Sequence, residues 1–376
     1  MVRGLLALEE DRARVEPLLS QLRAGIRRWQ ELTGPERRML SRGPLIEFFL
    51  EASYGRRFDD PPGMLSFAKA ACAIADQMGT RRYGKEIVAD LRARAWAELS
   101  NAYRVGDDLE QAGLALARAQ KLIGQGTRSS LVVARVSELM AAYLTDLRRF
   151  SEAASLLEQS NELYAASGDG PSVERALLSL ALVLSQSHEP ERAVIAYLRA
   201  LRRIAPDSPQ LLASIHGLAL NLAESGHGEV AQSVLNRYRR LYRRSGRLNE
   251  YRLYWLEGKI ALALQQYGRA EAKLHTARLA FFRVNKIYDA ALVSLDLAWL
   301  YAKTGRRTEV AWLVEQMLST FRTLGIARES IATLVLLKKS CEERPLEALC
   351  GQIESLAKMM PELRQKGQGK GRSAED

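Results

Sequence analysis

The chain is poor in the residues that covalent, redox or metal chemistry needs. Its 376 residues hold three cysteines, Cys72, Cys341 and Cys350, with no CxxC pair. That argues against a disulfide framework and for buried thiols acting as small apolar groups. The four histidines, His188, His216, His227 and His275, stand far apart, none with a second His or Cys at ligand spacing, so no metal is expected. "IGQGTRSS" (123–130) has two glycines but lacks the GxxxxGK[ST] spacing of a phosphate loop and reads as a linker. HExxH and GxSxG are absent. The expectation is a non-enzymatic protein without a cofactor.

Long apolar runs are missing too. "PQLLASIHGLALNLA" (209–223) is uncharged but carries Gln, Ser, His and Asn, and it is too short for a membrane span. The opening "MVRGLLALEEDRAR" offers about five apolar residues before the acids begin, too few for a secretion signal. A soluble, cytoplasmic protein with no membrane partner is expected. With 11 prolines and few runs of Val, Ile and Thr, the composition turns on Ala, Leu, Glu, Arg and Gln. These residues lose least in a helix. The chain reads all-α.

What is present is basic charge and a period. The formal charge is +11, with 43 Arg against 12 Lys. An anionic partner and plain solvated helix faces both account for it. In "AWAELSNAYRVGDDLEQAGLALARAQ" (95–120), Trp96, Leu99, Ala102 and Tyr103 form one apolar helical stripe. "VGDD" breaks it, and a second stripe runs through Ala112, Leu116 and Ala119. Small residues equivalent to Ala112 recur at Ala153, Ala193, Ala231, Ala270 and Val310, at spacings of 41, 40, 38, 39 and 40. Twelve residues before each stand Ser100, Ala141, Ala181, Ala219, Gly258 and Ala298. A fixed period with small residues on both sides of a crossing means stacked helical hairpins. Trp96 and Tyr103 are then packing residues rather than a site. Asp59–Asp60 and Asp107–Asp108 fall at helix starts, where carboxylates cap free N–H groups.

Residues 93 to 122 resemble a tetratricopeptide repeat. Trp96, Leu99, Ser100, Tyr103, Ala112, Leu116 and Ala119 fill the family's pattern positions, Ser100 standing where Gly or Ala is usual. Gly258, Tyr267, Ala270 and Ala277 match in the fifth repeat, and Tyr301 and Gly305 in the sixth. The period near forty is that of long-helix members, such as kinesin light chains and the sensor domains of bacterial regulators. The resemblance implies a right-handed superhelical solenoid of antiparallel hairpins. Its parts are N-terminal capping helices (1–43, with Leu18, Leu19, Leu22, Ile26 and Trp29 on a helix over 17–32) and a degenerate repeat with its linker (44–92, Ala52 in the small place). Six repeats (93–324), C-terminal capping helices (325–360, with a helix over 327–344) and a disordered basic tail (361–376, with Arg364, Lys366, Lys370 and Arg372) follow.

The resemblance also implies a concave groove lined by the first helix of each repeat. The groove candidates are Arg94, Asn101, Arg104, Arg135, Arg175, Arg252, Trp255, Lys259 and Trp299, joined by Glu138, His216 and Asp296. Four of them, Arg94, Arg135, Arg175 and Arg252, form a ladder able to fork the carboxylates of an acidic peptide or protein. The plain alternative is local pairing, as of Arg94 with Glu98 one turn on. "NRYRRLYRRSGRLNEYR" (236–252) carries Arg237, Arg239, Arg240, Arg243, Arg244 and Arg247 among tyrosines. That suits nucleic acid, unless Tyr238 and Tyr242 belong to the core. Three readings stay open: a scaffold or adaptor for a peptide or protein, a nucleic-acid-associated regulator, and a ligand or peptide sensor.

Overall fold

The computed structural model describes residues 1–24, 26, 31–40, 43–323 and 348–357. Among them every regular element is a helix. The chain divides into two compact units, Met1–Glu189 and Pro190–Asp376. The first holds α1 (Val2–Arg23), α2 (Gly34–Leu40), α3 (Gly43–Gly55), α4 (Pro61–Gln77), α5 (Lys85–Val105), α6 (Leu109–Ile123), α7 (Ser130–Asp146), α8 (Phe150–Ala166) and α9 (Gly170–Gln186). The second holds α10 (Pro190–Leu201), α11 (Gln210–Glu224), α12 (Gly228–Arg244), α13 (Arg247–Ala263), α14 (Tyr267–Arg283), α15 (Ile287–Lys303), α16 (Arg307–Thr323) and α17 (348–357). From α3 to α9 in unit 1, and from α10 to α16 in unit 2, consecutive helices pack as antiparallel pairs, α1 packs on α3, and α3, α5 and α7, like α11, α13 and α15, also touch in sequence.

The crossing residues lie where the period puts them. Ala112, Ala153, Ala193, Ala231, Ala270 and Val310 are wholly buried, as are their first-helix counterparts from Ser100 to Ala298. At Gly258 a Cβ would come within 2.7 Å of the Leu274 side chain, so α13 and α14 can approach only because none is there. Five residues before each crossing the backbone turns left-handed, at Asp107, Arg148, His188, Gly226, Gln265 and Gly305. The next N–H then reaches back five residues, as from Asp108 to the Tyr103 carbonyl (3.0 Å) and from Arg306 to that of Tyr301 (2.8 Å). This helix-ending hydrogen bond satisfies a carbonyl that the helix leaves free. Asp60 and Asp108 cap α4 and α6, accepting from Gly63 N and Gln111 N.

Two expectations need correction. No capping helix runs over 17–32: α1 ends at Arg23, contains Pro17, and leaves Ile26 exposed. Its buried stripe includes Asp11, held by Arg82 (2.6 Å) and by the Tyr83 hydroxyl (2.5 Å). An acid inside the stripe hides the helix from an apolar count, because its partners lie 71 and 72 residues away. In α3 the buried small residue is Ser53, not Ala52, and its hydroxyl donates to the Met64 carbonyl at 2.9 Å. Trp96 and Tyr103 do pack, half-buried, against the apolar cluster of α3, α4 and α5. They floor a cleft of 490 Å³ beside α4 and α6, where Arg118 stacks on the Trp96 ring and pairs with Asp76. Trp29, Cys341, 327–344 and 361–376 lie outside the described residues.

Candidate partner-binding cleft

The first helices of unit 1 bring three of the four ladder arginines together. Arg94 of α5, Arg135 of α7 and Arg175 of α9 line one cleft of 280 Å³, with Tyr54 of α3 and Tyr164 of α8. The fourth, Arg252, belongs to the other unit, where it is exposed and donates to Asn249 at 3.3 Å.

None of the three is a bare cation. Arg135 lies between two buried carboxylates, donating from Nε to Glu98 at 2.7 Å and from Nη1 to Glu138 at 3.0 Å. Arg175 grips Glu138 with both prongs, at 2.6 and 2.9 Å, and the Tyr164 hydroxyl donates to the same carboxylate at 2.9 Å. Arg94 lies 3.7 Å from Glu47. The Arg94–Glu98 pair of the plain alternative does not form, because Glu98 turns to Arg135. Burial opposes ionisation of Arg135 and Glu138, but their mutual attraction prevails. The Arg135 pKa is held up by Glu98 and Glu138, and the Glu138 pKa is held down by Arg135 and Arg175. The cleft therefore presents alternating, already paired charges. Glu51 and Asp169 add acids to its lining.

Other candidates are engaged in the same way. The Asn101 oxygen accepts from Arg104 at 3.1 and 2.9 Å, and Arg104 also pairs with Asp146 at 2.9 Å. In unit 2, Lys259 bridges Glu224 (3.1 Å) and Asp296 (3.5 Å), and Trp255 donates to Asp296 at 2.5 Å. Burial lowers the Lys259 pKa, and the two acids more than offset it. His216 meets the Tyr242 hydroxyl at 3.2 Å. Burial, with Arg252 and Lys259 nearby, pushes its pKa down to about 4. Trp299 donates to Glu354 of α17 at 2.8 Å, so a helix of the chain's own covers that position.

The ridge on α12 is different. Tyr242 is buried and Tyr238 half-buried, so the tyrosines do belong to the core side. Arg239 turns inward to Glu257 (2.6 Å), which Lys273 also meets at 2.6 Å. Arg237, Arg240, Arg243, Arg244 and Arg247 are exposed, and none has a carboxylate partner among the described residues.

Sequence reasoning missed Glu47, Tyr54 and Tyr164, and it offered Glu98 to Arg94 rather than to Arg135. One signal was there: Glu98–Arg135 and Glu138–Arg175 are both separated by 37 residues, just under one period. Among the described residues no group of three or more His, Cys, Asp or Glu side chains could hold a metal ion. No described helix is long and apolar enough to cross a membrane.

The fold is that of the tetratricopeptide-repeat proteins, in the long-repeat form. Among solved structures it is similar to a Rap protein complexed with Competence and Sporulation Factor (13% identity, 85% of this chain and 89% of that one, TM-score 0.61). It is also similar to the apo form of RapI (14%, 74% and 98%, 0.52) and to aspartyl phosphate phosphatase F from Bacillus subtilis (14%, 81% and 80%, 0.52). No protein-family model matches the sequence, and no curated protein matches it. At such identities the likeness establishes the fold and nothing finer.

Proposed function

We propose that the chain is a non-enzymatic regulatory adaptor whose unit 1 cleft binds an extended segment of a peptide or protein partner. The observation that carries this reading is the ladder of paired charges, Glu47 with Arg94, Glu98 with Arg135, and Glu138 with Arg175, beside Tyr54. Such a row offers donors and acceptors at repeat-spaced intervals on rigid helices. That suits the backbone and side chains of an extended chain better than a reacting group. Because every cleft arginine already has an acid, the partner need not be acidic: segments carrying both signs fit. The Rap protein solved with Competence and Sporulation Factor lends support, since its fold is similar over most of both chains.

Reversing Arg135 or Arg175 would place an acid among buried acids and disturb the fold, so the test uses two other cleft groups, the half-buried Tyr54 and Arg94. Tagged full-length protein is purified from its native cells after nuclease treatment, and a stoichiometric partner is identified by mass spectrometry. The partner's affinity is then measured for the wild type and for the Tyr54→Ala/Arg94→Glu variant. A loss of at least about tenfold, roughly 1.4 kcal/mol, is expected. Equal affinity in the two would sink the reading.

A further inference from the structure

The even-numbered helices of unit 2 run parallel to one another, because consecutive helices pack antiparallel. The C-terminal ends of α10, α12 and α14 therefore fall on one edge. That edge is basic at each hairpin. Arg202 and Arg203 follow α10, Arg243 and Arg244 close α12 with Arg247 just beyond, and Arg283 closes α14. All six are exposed, and none has an ion pair among the described residues. The acids on that edge are Asp207, Glu250 and Asp289, so the six cations outnumber them two to one. Elsewhere in the chain arginines find acids readily, as Arg12, Arg104, Arg118 and Arg306 do.

We infer that this edge, continued along the α12 ridge, binds the phosphate backbone of double-stranded nucleic acid. Arg237, Arg240 and Arg244 follow one helical stripe about 10 Å long at ~1.5 Å per residue. A duplex carries one charge per roughly 1.7 Å of axis, so such a stripe meets several phosphates at once. Guanidinium forks suit phosphate oxygens in two-pronged contacts. The rings decide between duplex and single strand. Tyr238, Tyr242, Tyr251, Phe282 and Tyr288 are all half-buried or buried, so among the described residues this edge and ridge offer no exposed aromatic platform for unstacked bases. Without a wedge or a base-reading side chain, the contact is to the backbone and indifferent to sequence. The edge belongs to unit 2 and the cleft to unit 1, and this inference does not depend on the reading proposed for the cleft.

Fluorescence anisotropy of full-length protein with a labelled random-sequence duplex, over a salt series, tests this. The expected result is affinity that falls steeply with salt, with a log–log slope of about −0.9 per phosphate neutralised. Arg240→Glu/Arg243→Glu/Arg244→Glu should bind at least about tenfold more weakly and flatten the slope by about 3. The matching Lys triple should keep most of that slope, which separates lost charge from lost structure. An absence of duplex binding near ~50 mM salt, or a Glu triple that binds as the wild type does, overturns the inference. Phosphatidylserine vesicles captured as tightly as the duplex, with the same dependence on the ridge, overturn the choice of nucleic acid.

Discussion

In the unit 1 cleft, Arg135 lies between Glu98 and Glu138 and Arg175 holds Glu138 with both prongs. Along α12 of unit 2, Arg240, Arg243 and Arg244 face solvent with no acid partner among the described residues. The same residue type therefore serves two ends. In the cleft it is structural first, since a buried carboxylate needs its counter-ion whether or not a partner is present. On the ridge it adds little to folding and leaves its charge available. Composition counts both populations alike, and only the location of the acids tells them apart.

The largest test of this contrast is Glu138→Ala. It strands the half-buried Arg175, leaves Arg135 with Glu98 alone, and should cost about 3–5 kcal/mol in urea unfolding. Arg243→Ala and Arg244→Ala should each stay within roughly 0.5 kcal/mol of the wild type. Comparable losses at the two places would erase the distinction.

Acid offers the next. Burial lowers the folded pKa of His216 to about 4 from the 6.5 of a free imidazole. Between those values the unfolded chain binds the proton and the folded one does not, so stability rises with pH there. The contribution is fully present above about pH 6.5. Roughly 3 kcal/mol of it is lost as the pH falls to 4, taking ~1.36 kcal/mol per unit. In His216→Gln the slope of stability against pH should be shallower across that window. The exposed ridge arginines, replaced by Gln, should leave the slope as it is. An unchanged slope in His216→Gln would mean that the imidazole is not the group responsible.

The smallest effect probes the frame that both faces share. At Gly305, φ is +82° and a Cβ would meet nothing within 4 Å, so Gly305→Ala isolates the backbone cost. About 1–2 kcal/mol is expected from thermal unfolding. Gln265 adopts the same kind of conformation, with φ +57°, and Gln265→Gly should relieve part of that cost. Should Gly305→Ala be silent, the left-handed turns would not be holding the hairpins in register.

The fold was legible because packing writes itself into spacing. Ala112, Ala153, Ala231 and Ala270 must be small where two helices cross, and nothing else about the repeats has to be conserved for the period to emerge. The cleft was half legible: Arg94, Arg135 and Arg175 could be placed on one face by that period. Their partners could not, because sequence distance favours Glu98 for Arg94, whereas stacking brings Glu98 to Arg135, 37 residues on. Helix α1 was misread for a related reason. Asp11 looks like a solvent residue until Arg82 and Tyr83 arrive to hold it. Long-range ion pairs are decided by the third dimension alone.

Helix α17 has a consequence for assembly. It lays Leu349, Ile353 and Leu356 into the apolar cluster of α15 and α16, and its Glu354 takes the Trp299 indole. A repeat stack grows by addition, since each hairpin buries its open face under the next. Nothing in the stacking geometry itself tells the series to stop, and an uncovered last face accepts a neighbouring molecule as readily as another hairpin. Head-to-tail contacts of that kind do not close on themselves and propagate as filaments. By packing Leu349, Ile353 and Leu356 there, α17 covers part of the face that an uncapped last hairpin would leave open to such a neighbour.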